Sequence, residues 1–178
     1  MFKRVFMLNM LLSSLTVLPG TKAHATDVNI TGKVIASSCT VSPVLVAGQE
    51  VNLGALGRTQ FQHANDAGTW KSFALNLTNC PAGTTTVKAT YTGTPDGTNA
   101  TLFANTEPVA TAALNMAVQM AKDSDHTAVL STGSVMSVDV DTQTGTATFP
   151  LAARLYTPTG GTLAGQVSSS VLVNFTYQ

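Results

Sequence analysis

Cys39 and Cys80 are the only cysteines in the chain, and a thiol can serve either as a reactive nucleophile or as half of a disulfide. The other residues able to do chemistry are thinly spread. Beyond the first 25 residues only His63 and His126 remain, and neither has a second histidine or cysteine at metal-ligand spacing. Each reads as a solvated loop residue. Gly133-Ser134 runs on into Val135 and Met136 without the second glycine that a nucleophile elbow needs, and no glycine-rich phosphate loop occurs. Asp123 with Asp125, and Asp139 with Asp141, carry the carboxylates a calcium ion would want. Plainer readings fit better. Asp139 and Asp141 alternate with Val138 and Val140 as on a half-exposed strand, whereas Asp123-Ser124-Asp125 reads as a hairpin tip. No catalytic residue, metal site or cofactor is expected.

What must position these residues begins with the start of the chain. Lys3 and Arg4 precede an apolar run that ends near Leu18, Pro19-Gly20 breaks it, and Ala23-His24-Ala25 follows. This is the pattern of a secretory signal peptide over 1–25, too short for a membrane-spanning helix and with cleavage expected after Ala25. Export places both cysteines in an oxidising compartment. One disulfide between them is the natural pairing, closing a loop of about 40 residues and stabilising the fold by roughly 4 kcal/mol in the chain-entropy model. A catalytic thiol would leave its partner unpaired there. The remaining 153 residues suffice for one domain, with six basic and nine acidic side chains. So weak and slightly acidic a charge excludes nucleic acid as a partner, since nothing supplies counterion release.

The exported part breaks into short runs of period two separated by turn residues, so strands dominate. Val28, Ile30, Gly32 and Val34 alternate; so do Phe73, Leu75 and Leu77, then Val87, Ala89 and Tyr91. Leu114, Met116, Val118 and Met120 follow, then Val138 and Val140, then Phe149, Leu151, Ala153 and Leu155. Turns fall at Pro81-Ala82-Gly83, Thr94-Pro95-Asp96-Gly97, Gln143-Thr144-Gly145 and Gly160-Gly161. The expected fold is all-β, an immunoglobulin-like sandwich or small barrel. The last run, 171–178, places Val171, Val173, Phe175 and Tyr177 on one face and Asn174, Thr176 and Gln178 mainly on the other.

The first alternating run, within an arm over 26–35, complements the last. Burying Val28, Ile30 and Val34 would contribute about 5 to 9 kcal/mol gross, at about 1.5 to 3 each, and pairing along an exposed edge adds backbone hydrogen bonds. Gly32 in the middle of that face marks a place where another backbone or a bulky side chain comes close. These features together resemble the pilins of the chaperone–usher pathway of Gram-negative bacteria: the arm, Cys39 soon after it, Leu75-Asn76-Leu77-Thr78-Asn79-Cys80, Gly165, and the terminal strand with penultimate Tyr177. Within that family, the stretch from Trp70 to Thr84 looks most like the minor adaptor subunits of the type 1 pilus tip fibrillum.

The resemblance implies an incomplete immunoglobulin-like sandwich lacking its last strand, organised as signal peptide 1–25, donor-strand arm 26–35 and pilin domain 36–178. It implies that Val28, Ile30, Gly32 and Val34 are donated to one neighbouring subunit. Gly165, Val171, Val173, Phe175, Tyr177 and Gln178 would form the acceptor groove and contact a periplasmic chaperone. Its partners would be adjacent pilus subunits, that chaperone and an outer-membrane usher. Its destination would be the cell surface, with an adhesive, non-enzymatic role. The alternative is a monomeric secreted carbohydrate-binding or inhibitory sandwich with Trp70 and Tyr91 as stacking platforms.

Overall fold

The computed structural model describes residues 31–33 and 38–178. The signal-peptide reading and donor positions Val28, Ile30 and Val34 lie outside the described residues. Residues 31–33 belong to a unit separate from 35–178; they are exposed and have no regular structure.

The second unit is built from strands that the two-residue alternation marks out. In order they are β1 (Thr40–Val41), β2 (Lys71–Thr78), β3 (Thr86–Gly93), β4 (Phe103–Ala104), β5 (Ala117–Lys122), β6 (Asp125–Leu130), β7 (Val135–Asp139), β8 (Ala147–Tyr156) and β9 (Val171–Tyr177). One sheet runs β1-β2-β8-β5-β4 with β6 paired to β5, and the other runs β7-β3-β9. All strand pairs are antiparallel. The inward residues of the two sheets, among them Leu75, Leu77, Val87, Ala89, Tyr91, Phe149 and Leu151, form one shared core. Of the two all-β forms the alternation allows, this is the sandwich. Among the described residues no helix is long and apolar enough to cross a membrane.

Among the described residues helix is confined to α1 (Pro43–Ala47) and a 3₁₀ turn at Arg58–Phe61. Ser42 caps α1 by accepting the Leu45 N–H on its hydroxyl at 3.3 Å, and Pro43 sits in the first turn, where no backbone donor is needed. The disulfide Cys39–Cys80 is formed and hangs the start of β1 from the end of β2.

Three local expectations change. Alternation from Leu114 suggested a strand beginning there, but β5 begins at Ala117. Asn115 takes a left-handed turn at φ 58° and its amide donates to the Gly160 carbonyl at 3.0 Å, so a side-chain bond wins over the ladder and leaves Leu114 exposed. Asp139 ends β7, but Asp141 is not on that strand. It caps a turn, accepting the N–H groups of Gln143 and Thr144 at 2.9 and 3.3 Å. His126 is not a loop residue either; it lies on β6 and stacks on Trp70. Asp123-Ser124 does form the tip of the β5–β6 hairpin.

Candidate functional site

The inner face of β9 meets a void where the sandwich would continue. β9 is an edge strand: β3 pairs with it on one side, and among the described residues no strand pairs with the other. Beside it, between the sheets, runs a groove of about 1140 Å³. Val171, Val173 and Phe175 line it from β9, Phe73, Leu75 and Leu151 from β2 and β8, and Val118 and Met120 from β5. Its far wall is Val41 of β1, Leu45, Val46 and Ala47 of α1 and the irregular stretch 48–56. The β9 side chains on this face are only half buried, although they pack on the core, because nothing covers them from the groove side.

Hydrogen-bond parity fixes which backbone groups face outward. Gln178 donates to the Thr86 carbonyl at 2.9 Å and accepts from the Thr86 N–H at 3.1 Å, a reciprocal pair. In an antiparallel ladder such pairs recur every second residue, so Thr176, Asn174 and Leu172 also bond to β3. The N–H and C=O groups of Val171, Val173, Phe175 and Tyr177 therefore point to the open edge. One set of residues thus presents both apolar side chains to the groove and free polar groups along its rim. Such a rim accepts a strand.

Of the site residues expected from sequence, Val171, Val173 and Phe175 line the groove. Phe175 also packs on Phe149, with ring centroids 5.5 Å apart. Tyr177 packs on the core past the end of the groove, and partial burial raises its phenol pKa. Gln178 directs its backbone to β3 rather than to the open edge. Gly165 lies in the groove wall, at a point where a Cβ would run into the backbone of Ala112 and Ala113. Around Gly32 nothing lies within 4 Å of a Cβ position. The stretch 48–56 could not be read from the sequence because it lines the groove without any periodicity.

The platforms of the carbohydrate-binding alternative are already occupied. Tyr91 is fully buried, its hydroxyl 3.8 Å from the Met136 sulfur, and burial pushes its pKa well above the ordinary value. Trp70 stacks on His126 with ring centroids 4.5 Å apart, and the Arg154 guanidinium lies over the indole at 4.3 Å. Gln119 orients that guanidinium by accepting from its Nε at 2.8 Å. Burial lowers the Arg154 pKa, and Tyr156 works against that shift. These contacts clamp the outer face of β8 and β5. Among the described residues no group of three or more histidine, cysteine or acidic side chains could hold a metal.

Residues 28–178 match the model of the family described as fimbrial protein. The chain is 35% identical over 168 residues to Protein FimG of Escherichia coli K12, covering 93% of this chain and 94% of that one. Among solved structures, the P pilus rod subunit PapA superposes with a TM-score of 0.63 at 18% identity, over 80% of this chain and all of PapA. A subunit from the structure of a chaperone–usher pilus superposes with a TM-score of 0.61 at 18% identity, over 90% of this chain and all of that one. At such identities the two structures speak for the fold.

Proposed function

Because the chain belongs to the fimbrial protein family, we propose that it is a minor, adaptor-like subunit of a bacterial surface pilus, joined to its neighbours by donor-strand complementation and exchange. The family is one of structural subunits rather than enzymes. The observation that carries the proposal is the open edge of β9 beside an apolar groove of about 1140 Å³. An unpaired edge over an unfilled core invites uncontrolled pairing, and a dedicated strand removes both defects at once.

In this reading Val171, Val173, Phe175 and Tyr177 receive the next subunit's strand, and Val28, Ile30, Gly32 and Val34 of the arm 26–35 are given to the preceding subunit. A head-to-tail contact of this kind does not close on itself and grows into a filament. Before assembly a periplasmic chaperone lends a strand to the same edge, and at the outer-membrane usher the next subunit's arm displaces it. The assembled fibre is displayed at the cell surface in support of adhesion. The adaptor position rests on the resemblance of the stretch from Trp70 to Thr84 to tip-fibrillum adaptors.

Deleting residues 26–34 tests the division of labour. The shortened chain is expected to capture a synthetic peptide of residues 26–35, as followed by native mass spectrometry, yet to fail as a donor to a second subunit. A shortened chain that unfolds cooperatively as a stable monomer without chaperone or peptide would sink the open-groove reading. Gly32→Arg is expected to stop donation by steric clash while leaving the variant's own acceptor groove competent for peptide.

A further inference from the structure

The acceptor edge is longer than β9. Upstream of Val171 the chain continues along the groove, and Val167, Ser169 and Ser170 line it. This stretch has no partner strand in either sheet. It is held instead by the loop 105–113, and the hydrogen bonds to that loop fall on alternate residues. Gln166 donates its N–H to the Thr111 carbonyl at 2.7 Å and accepts the Ala113 N–H at 2.8 Å. The Ser168 carbonyl accepts the Thr106 N–H at 2.8 Å. The even-numbered residues are thus used on the loop side, as Leu172, Asn174 and Thr176 are used on β3. Val167 and Ser169 keep the parity of Val171, and among the described residues no hydrogen bond engages their backbone groups.

One side chain locks this arrangement. The Asn105 amide nitrogen donates to the Gln166 carbonyl at 2.9 Å and to the Ala113 carbonyl at 3.1 Å. Its oxygen accepts the Ser168 N–H at 3.0 Å and the Glu107 N–H at 3.1 Å. Four bonds saturate the donors and acceptors that one carboxamide holds in ordinary geometry. Gly165 permits the approach, since a Cβ there would collide with the backbone of Ala112 and Ala113. Together these contacts carry the parity of β9 through a segment that is not itself part of the sheet.

We propose that Asn105 is a positioning residue that extends the acceptor edge to Val167, so that an incoming strand pairs with six alternate residues, Val167, Ser169, Val171, Val173, Phe175 and Tyr177, instead of four. The inference rests on the strand-acceptor reading above. From Val167 to Tyr177 an extended chain spans about 33 Å at roughly 3.3 Å per residue, about the reach of a ten-residue arm such as 26–35. An edge confined to β9 would leave part of such an arm without backbone partners.

Hydrogen–deuterium exchange resolves the point on the exported chain, 26–178, saturated with a synthetic peptide of residues 26–35. Slow exchange is expected at the amides of Val167 and Ser169 together with Val171, Val173, Phe175 and Tyr177. Protection that stops at Val171 overturns the extended edge. No protection anywhere on β9 overturns the strand-acceptor reading itself, a distinguishable failure. Asn105→Ala is expected to release the Val167 and Ser169 amides and to speed peptide dissociation about tenfold, as loss of one or two net hydrogen bonds implies, while β9 stays protected. Unchanged protection and dissociation in that variant would remove Asn105 from the role. If the variant does not fold, wild-type chain with peptides shortened by two residues at either end decides the matter. At least one of the two is expected to lose protection at Val167 and Ser169 alone; loss at neither overturns the proposal.

Discussion

Gly160 occupies a point where no side chain fits. Its φ is +75°, and a Cβ would stand 2.5 Å from the Gln62 carbonyl oxygen. Gly160→Ala is therefore expected to destabilise the subunit by about 2 kcal/mol or more, measured by urea denaturation with the groove filled by peptide. Two of the Asp-x-Asp carboxyls serve their own turns. Asp125 is held below its ordinary value of 3.8 first by the Thr127 hydroxyl and then by the Thr127 N–H, and Asp141 first by the Gln143 N–H. A depressed carboxyl stabilises the fold above its unfolded pKa, and that contribution is lost as pH falls through the lower folded value. The urea midpoint of wild type is thus expected to fall as the pH drops below about 4, the ordinary carboxyl range, and to fall less in the Asp125→Ala/Asp141→Ala variant; equal slopes would contradict the assignment. At this scale the pairing of Cys39 with Cys80 was legible in the sequence, because only two cysteines were present. Asn105 was not. Its four partners come from segments some sixty residues apart and from its own loop, and no spacing rule connects them.

Among the elements, β2, β3, β8 and β9 announce themselves by period two because each has one face on the shared core. The core face of β9 can be checked directly. Leu172→Ser is expected to leave stability within about 0.5 kcal/mol, since Leu172 is 64% exposed on the outer face. Val173→Ser is expected to weaken capture of the 26–35 peptide severalfold, read by competition binding. Reversed results would mean that the face had been misassigned. Elements without that asymmetry stayed hidden. β4 has two residues, β6 carries exposed residues over its first half, and α1 lays Val44 and Val46 into solvent, so none shows a readable stripe. The groove was legible on its β9 side and illegible on its far wall, where 48–56 follows the surface of the void without regular structure.

As a whole the second unit is a sandwich with one place unfilled, and its stability is divided between itself and whatever fills that place. The wall opposite β9 is slight: β1 is two residues long, and Val41 is its contribution to the groove. What secures that wall is the bond from Cys39 to Cys80, one residue from β1 at its near end. Without that bond the wall is expected to fray and leave the groove with one firm side, whereas with it both sides stand. Peptide capture by the exported chain is accordingly expected to drop when the bond is reduced by dithiothreitol or removed in the Cys39→Ser/Cys80→Ser variant, with equal capture before and after reduction as the contrary result. On the strand-acceptor reading, a subunit would then accept a neighbour's strand only in a compartment that oxidises thiols, and the redox state of its surroundings would decide when polymerisation begins.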